Sequence, residues 1–143
     1  MIQVYGTSLA WEGKAFLLRG PSGAGKSDLA LRLIEEGACL IADDQTRLAA
    51  RKGRLLASAP PAIAGLLEIR GLGIVKVPFA EPSPLVLAVD LVAPAAVERL
   101  PEVAHCTYLG VRVPRMLLYP FEVSATAKLR RAAAALAAGE LAA

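Results

Sequence analysis

Gly20-Pro21-Ser22-Gly23-Ala24-Gly25-Lys26-Ser27 fits the pattern G-x-x-x-x-G-K-[ST] with no mismatch. Upstream, Ala15-Phe16-Leu17-Leu18-Arg19 is apolar and reads as a buried strand. Downstream, Leu29, Ala30, Leu33 and Ile34 recur at helical spacing. A strand, a glycine-rich loop and a helix in this order are the context in which the pattern binds phosphate. Gly20, Gly23 and Gly25 let the backbone curl so that its N–H groups point inward. The helix N-terminus adds partial positive charge beneath an anion. Lys26 reaches the β- and γ-phosphates of a nucleotide, and the Ser27 hydroxyl suits Mg²⁺. Pro21, Ser22 and Ala24 complete the nucleotide-binding loop.

The bulk numbers are consistent with such a domain. The chain has 143 residues, enough for one domain (1–143) with one real core. Hydrophobic residues make up 55% and charged residues 20%, a balance that suits a soluble globule. The net charge of +3 is mild and dispersed, which argues against nucleic acid as a partner. No apolar run approaches the ~20 residues of a membrane span. Met1-Ile2-Gln3-Val4-Tyr5 lacks the basic start and long apolar run of a signal peptide, so a cytoplasmic enzyme is expected. Cys39 and Cys106 stand far apart and read as buried thiols rather than a disulfide or metal site. The single histidine, His105, leaves a zinc site or a Ser-His-Asp triad without partners.

In chain order, residues 2–10 read as a strand, and Glu12-Gly13 turns the chain into a hairpin that leads to the phosphate loop. The helix is expected over 26–36, ended by Gly37. Ala38-Cys39-Leu40-Ile41-Ala42 reads as a central strand ending in Asp43-Asp44. In an open α/β sheet, ligands bind at that end of the strands. Residues 45–58 read as two strands around the polar turn 51–54. In Leu66-Leu67-Glu68-Ile69-Arg70-Gly71-Leu72-Gly73-Ile74, Glu68 and Arg70 lie two apart, so on a strand they share a face. They either face a cleft together, towards a metal and a phosphate, or form a surface ion pair.

Residues 78–84, with three prolines, read as an exposed connection. Residues 85–90 form an apolar run ending in Asp90, which competes with Asp43 and Asp44 as the acidic strand end beside the metal. Residues 94–100 read as a short helix carrying Arg99. Val111, Val113 and 116–118 suggest strand, interrupted by Pro114. An Ala-rich helix is expected over about 122–138.

Taken together, residues 20–27, then Leu40-Ile41-Ala42-Asp43-Asp44, then Leu67-Glu68-Ile69-Arg70-Gly71-Leu72-Gly73-Ile74 closely resemble HPr kinase/phosphorylase, in that order and at similar spacing. The last segment is far more specific than the phosphate loop, which many enzymes share. The resemblance implies a phosphate-loop α/β kinase fold related to phosphoenolpyruvate carboxykinase, a mixed β-sheet with flanking helices. It implies Mg²⁺-dependent phosphorylation of a serine on HPr, a phosphocarrier protein of the bacterial phosphotransferase system, with ATP or pyrophosphate as donor. It also implies the reverse phosphorolysis by inorganic phosphate, and a homo-oligomer, typically a hexamer. Carried over, Lys26 binds the phosphates, Ser27 and Glu68 hold the metal, and Asp43 and Asp44 supply the acid/base, with the proton carrier left open between them. Arg70 acts in both directions, and Arg99 matches a later catalytic arginine. Asp90 becomes a core strand end. Residues 119–124 fall where the family has a loop for dephosphorylation.

The chain departs from that pattern in three ways. It looks like a short form without the family's extra N-terminal domain. Tyr5 stands where many members have a histidine, which would tune the acidic pair in a way that tyrosine does not. The C-terminal region is shorter and diverged. Two other functions fit the same loop: a small-molecule kinase, whose arginine-bearing lid would be the 51–54 turn, and a nucleotide-sensing regulatory module without turnover.

Overall fold

A computed structural model describes residues 1–141. The chain forms eleven strands and two helices: β1 (Ile2–Tyr5), β2 (Thr7–Trp11), β3 (Lys14–Arg19), α1 (Lys26–Glu35), β4 (Cys39–Ala42), β5 (Gln45–Arg51), β6 (Arg54–Ser58), β7 (Leu66–Ile69), β8 (Gly73–Lys76), β9 (Ser83–Leu91), β10 (Ala104–Tyr108), β11 (Val111–Leu118) and α2 (Ala125–Ala137). Nine strands make one mixed sheet: seven follow the order β1-β5-β6-β9-β3-β2-β4, and off this path β11 pairs with β9 and β10 with β11. The trunk of that sheet is β9. It pairs in parallel with β3 along one edge, while β6 and then β11 share the other.

Side-chain alternation divides the apolar residues between two cores. Phe16 and Leu18 of β3 face one side with Leu87, Val89 and Leu91 of β9, under Leu29, Leu33 and Ile34 of α1 and Leu129 of α2. Ala15 and Leu17 face the other side, where Leu48 of β5, Leu55 of β6 and Val113 of β11 close over them. Both helices thus lie on one face of the sheet, and the β5–β6 arm folds over the other. Helix α1 shows why the sequence specifies it: Leu29, Ala30, Leu33 and Ile34 are its buried stripe. Gly37 follows its last turn with φ 114°, in the left-handed conformation that ends helices.

The structure corrects several sequence expectations. Residues 2–10 are two strands, broken at Gly6, where a Cβ would stand 2.8 Å from Leu17 Cδ1. The strand β4 is not central but ends the sheet path, beside β2. Its open edge is covered by the proline-rich connection, whose Pro78 carbonyl accepts from the Leu40 amide. Residues 66–74 are not one strand. They form a two-stranded hairpin, β7–β8, which sends Arg70 into its turn, so the shared-face argument for Glu68 and Arg70 fails. The helix expected over 94–100 is one 3₁₀ turn, Pro94–Ala96, and Arg99 lies beyond it on the surface. The strand β10 carried no sequence signal. Pro114 does not interrupt β11, because pairing with β9 begins only at Arg115 and one edge is still open at the proline. The last helix starts at Ala125, after an irregular turn over 119–124. Cys39 and Cys106 are free but half-buried rather than buried.

The β10–β11 turn gives a stability prediction. Leu109 and Gly110 have φ of 50° and 77°, the pattern of a turn that prefers Asn-Gly. A branched apolar residue in the left-handed region costs about 1–2 kcal/mol, and asparagine less. Leu109→Asn is expected to stabilise the fold by about 0.5–1 kcal/mol. Urea unfolding measures this, and an unchanged midpoint would mean that Leu109 packing offsets the strain.

Candidate active site

The phosphate loop leaves β3 and enters α1 as its spacing requires. The Ala24 amide donates to the Pro21 carbonyl at 3.0 Å, and the Leu29 amide to the Gly25 carbonyl at 2.9 Å. Gly25 caps α1 with φ 102°, and a Cβ there would stand 2.9 Å from Phe121 Cζ. Glycine is therefore needed at this position for both backbone and space.

Lys26 is only 6% exposed. Its ammonium donates to the Gly20 carbonyl at 2.6 Å, the Pro21 carbonyl at 3.1 Å and the Tyr5 hydroxyl at 3.2 Å. It also stands 4.5 Å from the centroid of the Tyr5 ring, a cation–π contact. A lysine that reaches a bound phosphate would be expected to stand exposed in an empty cleft. The loop's own carbonyls and Tyr5 bury it instead, because an ammonium with three donors is stabilised where acceptors converge.

At the end of β4 the chain makes a sharp corner. Asp43 Oδ1 accepts from the Thr7 hydroxyl at 3.1 Å and from the Ser27 hydroxyl at 3.3 Å. Asp43 Oδ2 accepts from the Glu68 amide at 3.0 Å. One carboxylate thus ties together β2, α1 and β7. Asp44 has φ 66°, a left-handed conformation that Asp tolerates better than most residues. Its amide donates to the Thr7 hydroxyl at 3.1 Å, and its carbonyl accepts from the Gly6 amide at 2.9 Å. The Asp44 carboxylate is exposed and lines the cleft.

Thr7 was not singled out in the sequence, where it reads as one strand residue among others. It is fully buried, and its hydroxyl serves both aspartates. Thr7→Val keeps the shape and removes both bonds. It is expected to lower phosphoryl transfer by roughly 10–100-fold, the usual cost of losing a residue that orients a functional carboxylate. Circular dichroism would check that the fold survives, and undiminished transfer would show that the corner holds without Thr7.

A cleft of about 1000 Å³ collects most of the expected residues. Ser22, Gly23, Gly25, Lys26 and Ser27 line it from the phosphate loop, Asp43 and Asp44 from β4, and Glu68 and Arg70 from the β7–β8 hairpin. Gly20, Pro21 and Ala24 belong to the loop but not to the cleft lining. Arg99 is exposed and outside the lining. Tyr5 and Phe121 line the cleft too. The sequence marked Tyr5 only as a departure, and Phe121 only as part of a diverged loop.

Asp90 is engaged elsewhere. Its carboxylate accepts from Arg19 Nε at 2.6 Å and from Arg115 Nη1 at 3.0 Å. Partial burial alone would lower the Arg19 pKa, but the hydrogen bonds to Asp90 and Tyr108 hold it above its ordinary value. Burial pushes the nearby Cys106 thiol up, with Asp90 acting in the same direction and Arg19 and Arg115 opposing it. This cluster ties β3, β9, β10 and β11 together. Asp90 is thus a strand-end counterion and not part of the cleft.

Among the described residues, no three His, Cys, Asp or Glu side chains converge to hold a metal by themselves. Mg²⁺ keeps several waters and needs only one or two carboxylates plus substrate phosphates. Ser27 and Glu68 line one cleft beside Asp43, so the donor set fits that ion. Among the described residues, no helix is long and apolar enough to cross a membrane.

A phosphate loop on a mixed sheet, sharing a cleft with carboxylates from the corner after β4 and from β7, defines a phosphate-loop α/β domain. The description "HPr Serine kinase C-terminal domain" matches residues 1–129, and the chain belongs to that family. It is 42% identical over 78 residues to HPr kinase/phosphorylase of Clostridium tetani, covering 54% of this chain and 23% of that protein. It is 43% identical over 75 residues to HPr kinase/phosphorylase 1 of Oceanobacillus iheyensis, covering 52% of this chain and 24% of that protein. The matched segment thus spans about a quarter of the length of these relatives. The fold matches the Hpr(Ser) kinase/phosphatase from Coxiella burnetii, with a TM-score of 0.85 and 24% identity, covering 95% of this chain and 99% of that one. Membership of that family implies nucleotide use.

Proposed function

We propose that this domain transfers the terminal phosphoryl group of ATP, or of pyrophosphate, to a serine of an HPr-like phosphocarrier protein, and returns it to inorganic phosphate in the reverse reaction. The observation that carries this is the meeting of Lys26 and Ser27 with Asp43, Asp44, Glu68 and Arg70 around one cleft. The names of the similar proteins, HPr kinase/phosphorylase, agree with it.

The hydrogen bonds support a division of labour between the two aspartates. Both Asp43 oxygens accept bonds, which hold that carboxylate against Ser27. Asp43 is the anchor, and the exposed Asp44 takes the proton. As the seryl oxygen bonds to phosphorus and the bond to the leaving group breaks, ADP from ATP or inorganic phosphate from pyrophosphate, the Asp44 carboxylate accepts the hydroxyl proton. In reverse, with phosphate attacking, the protonated Asp44 returns it to the leaving seryl oxygen. Lys26 leaves its loop carbonyls for the phosphate oxygens, and Arg70 reaches them from the hairpin turn. Ser27 and Glu68 would hold Mg²⁺, which would supply positive charge against that of the phosphates. Arg99 would need a partner or a loop movement to contribute. The cytoplasm and a homo-hexamer complete the proposal.

The 51–54 turn caps the β5–β6 hairpin and does not line the cleft, which leaves a small-molecule kinase without its lid. The test is a mass shift on HPr incubated with the protein, Mg²⁺ and ATP, followed by inorganic phosphate. Gain of one phosphoryl group on a serine, lost again as pyrophosphate appears, is the expected result. Nucleotide binding without any transfer would leave a sensing module.

A further inference from the structure

The two sides of the cleft differ in chemistry. Asp43, Asp44 and Glu68 enter from β4 and β7, and Phe121 enters from the turn that precedes α2. That turn is fastened. The Arg32 guanidinium donates to the Pro120 carbonyl, Lys128 pairs with Glu122 at 2.6 Å, and the Tyr119 ring meets Phe121 in a T-shaped contact with centroids 5.8 Å apart. Phe121 is nonetheless 55% exposed, a large ring held open towards the cleft. Its distal edge abuts Gly25, the cap of α1, so it stands directly beside the phosphate loop.

A nucleotide has one orientation that satisfies both sides. Its terminal phosphate must face the carboxylates and the acceptor serine. Lys26 and the loop amides hold the phosphates over the start of α1. The nucleoside must then leave away from Asp43, Asp44 and Glu68, along α1, from which Asp28 and Leu31 line the cleft together with Phe121. Asp28 and Leu31 share one face of α1. The Asp28 carboxylate already accepts from Arg32 at 3.1 Å, and the other two side chains carry no hydrogen-bonding atom.

We propose that Phe121 is the platform on which the nucleobase stacks, with Leu31 beneath it, and that this subsite takes any purine nucleotide by stacking rather than by reading base edges. The inference rests on the nucleotide function proposed above and adds to it a residue and a specificity. It also explains how pyrophosphate can serve as donor, since the base adds affinity without entering the reaction.

Isothermal titration calorimetry with ATP, GTP and pyrophosphate, each with Mg²⁺, tests this without requiring turnover. Wild-type protein is expected to bind ATP and GTP within about threefold of each other, because stacking tolerates every base. Phe121→Ala is expected to weaken both nucleotides by about tenfold, as base–aromatic stacking predicts, and to leave pyrophosphate unchanged. Phe121→Leu, which keeps apolar contact with Gly25 and Pro120, is the second variant if the alanine variant does not fold. It should show the same selective loss. Equal weakening of nucleotide and pyrophosphate would overturn the inference, since Phe121 would then only prop the loop. Unchanged nucleotide affinity, or a strong preference for one base, would overturn it as well. Wild-type protein that binds pyrophosphate but no nucleotide would sink this subsite and leave phosphoryl transfer standing, and binding of neither would remove both.

Discussion

Lys26→Ala is expected to lower phosphoryl transfer by roughly 10²–10³-fold, the usual cost of removing one preorganised donor to developing negative charge. It is also expected to destabilise the fold by about 1–3 kcal/mol. The second effect does not follow from the sequence pattern. It follows from the burial of Lys26 and its three acceptors, Gly20, Pro21 and Tyr5. Alanine would leave two loop carbonyls without their charged donor. Lys26→Arg keeps a cation but not its reach or its compact head, so it should recover part of the stability and little of the activity. Transfer to HPr followed by mass, together with urea unfolding, reads both effects. Unchanged transfer would remove Lys26 from the site. Unchanged stability would mean that the loop carbonyls find water as readily as they find the ammonium.

The two aspartates should separate by the same pair of measurements. Asp44→Asn is expected to slow transfer by roughly 10²–10⁴-fold, the range of a lost general base, with little change in stability. Asparagine tolerates the left-handed backbone at this position, so the corner should survive. Asp43→Asn keeps a carbonyl oxygen but replaces the other acceptor with an NH₂ group. Asp43 receives Thr7, Ser27 and the Glu68 amide, so at least one donor would then face another donor. A stability loss of about 1–3 kcal/mol should accompany its loss of activity. If Asp44→Asn transferred at the normal rate while Asp43→Asn did not, the proton would belong to Asp43.

Much of this site was legible in the residues. The phosphate loop needed only its own eight residues and two flanking apolar runs, because strand-loop-helix geometry is local. Asp43-Asp44 and the Glu68–Ile74 segment were visible because they carry polar residues where apolar ones would satisfy a sheet. Three things were not legible. Arg70 sits in a hairpin turn rather than on a strand, because Gly71 and Gly73 allow the chain to reverse there. The edge position of β4 was hidden, since a covered edge and a central strand bury the same apolar run. Phe121 lay in a stretch whose sequence match was poor, and its place beside Gly25 in the cleft is set by a contact between distant parts of the chain.

By itself, then, the sequence determined the strand, loop and helix of the phosphate-loop pattern and the family to which the chain belongs. Those depend on short-range backbone geometry and on residue types at fixed spacing. Only the tertiary structure decided that Asp90 is spent on Arg19 and Arg115, that Thr7 serves both aspartates, and that Tyr5 covers Lys26. Each of these joins residues 21 to 71 positions apart in the chain, and such contacts arise only when strands from distant segments are brought into register.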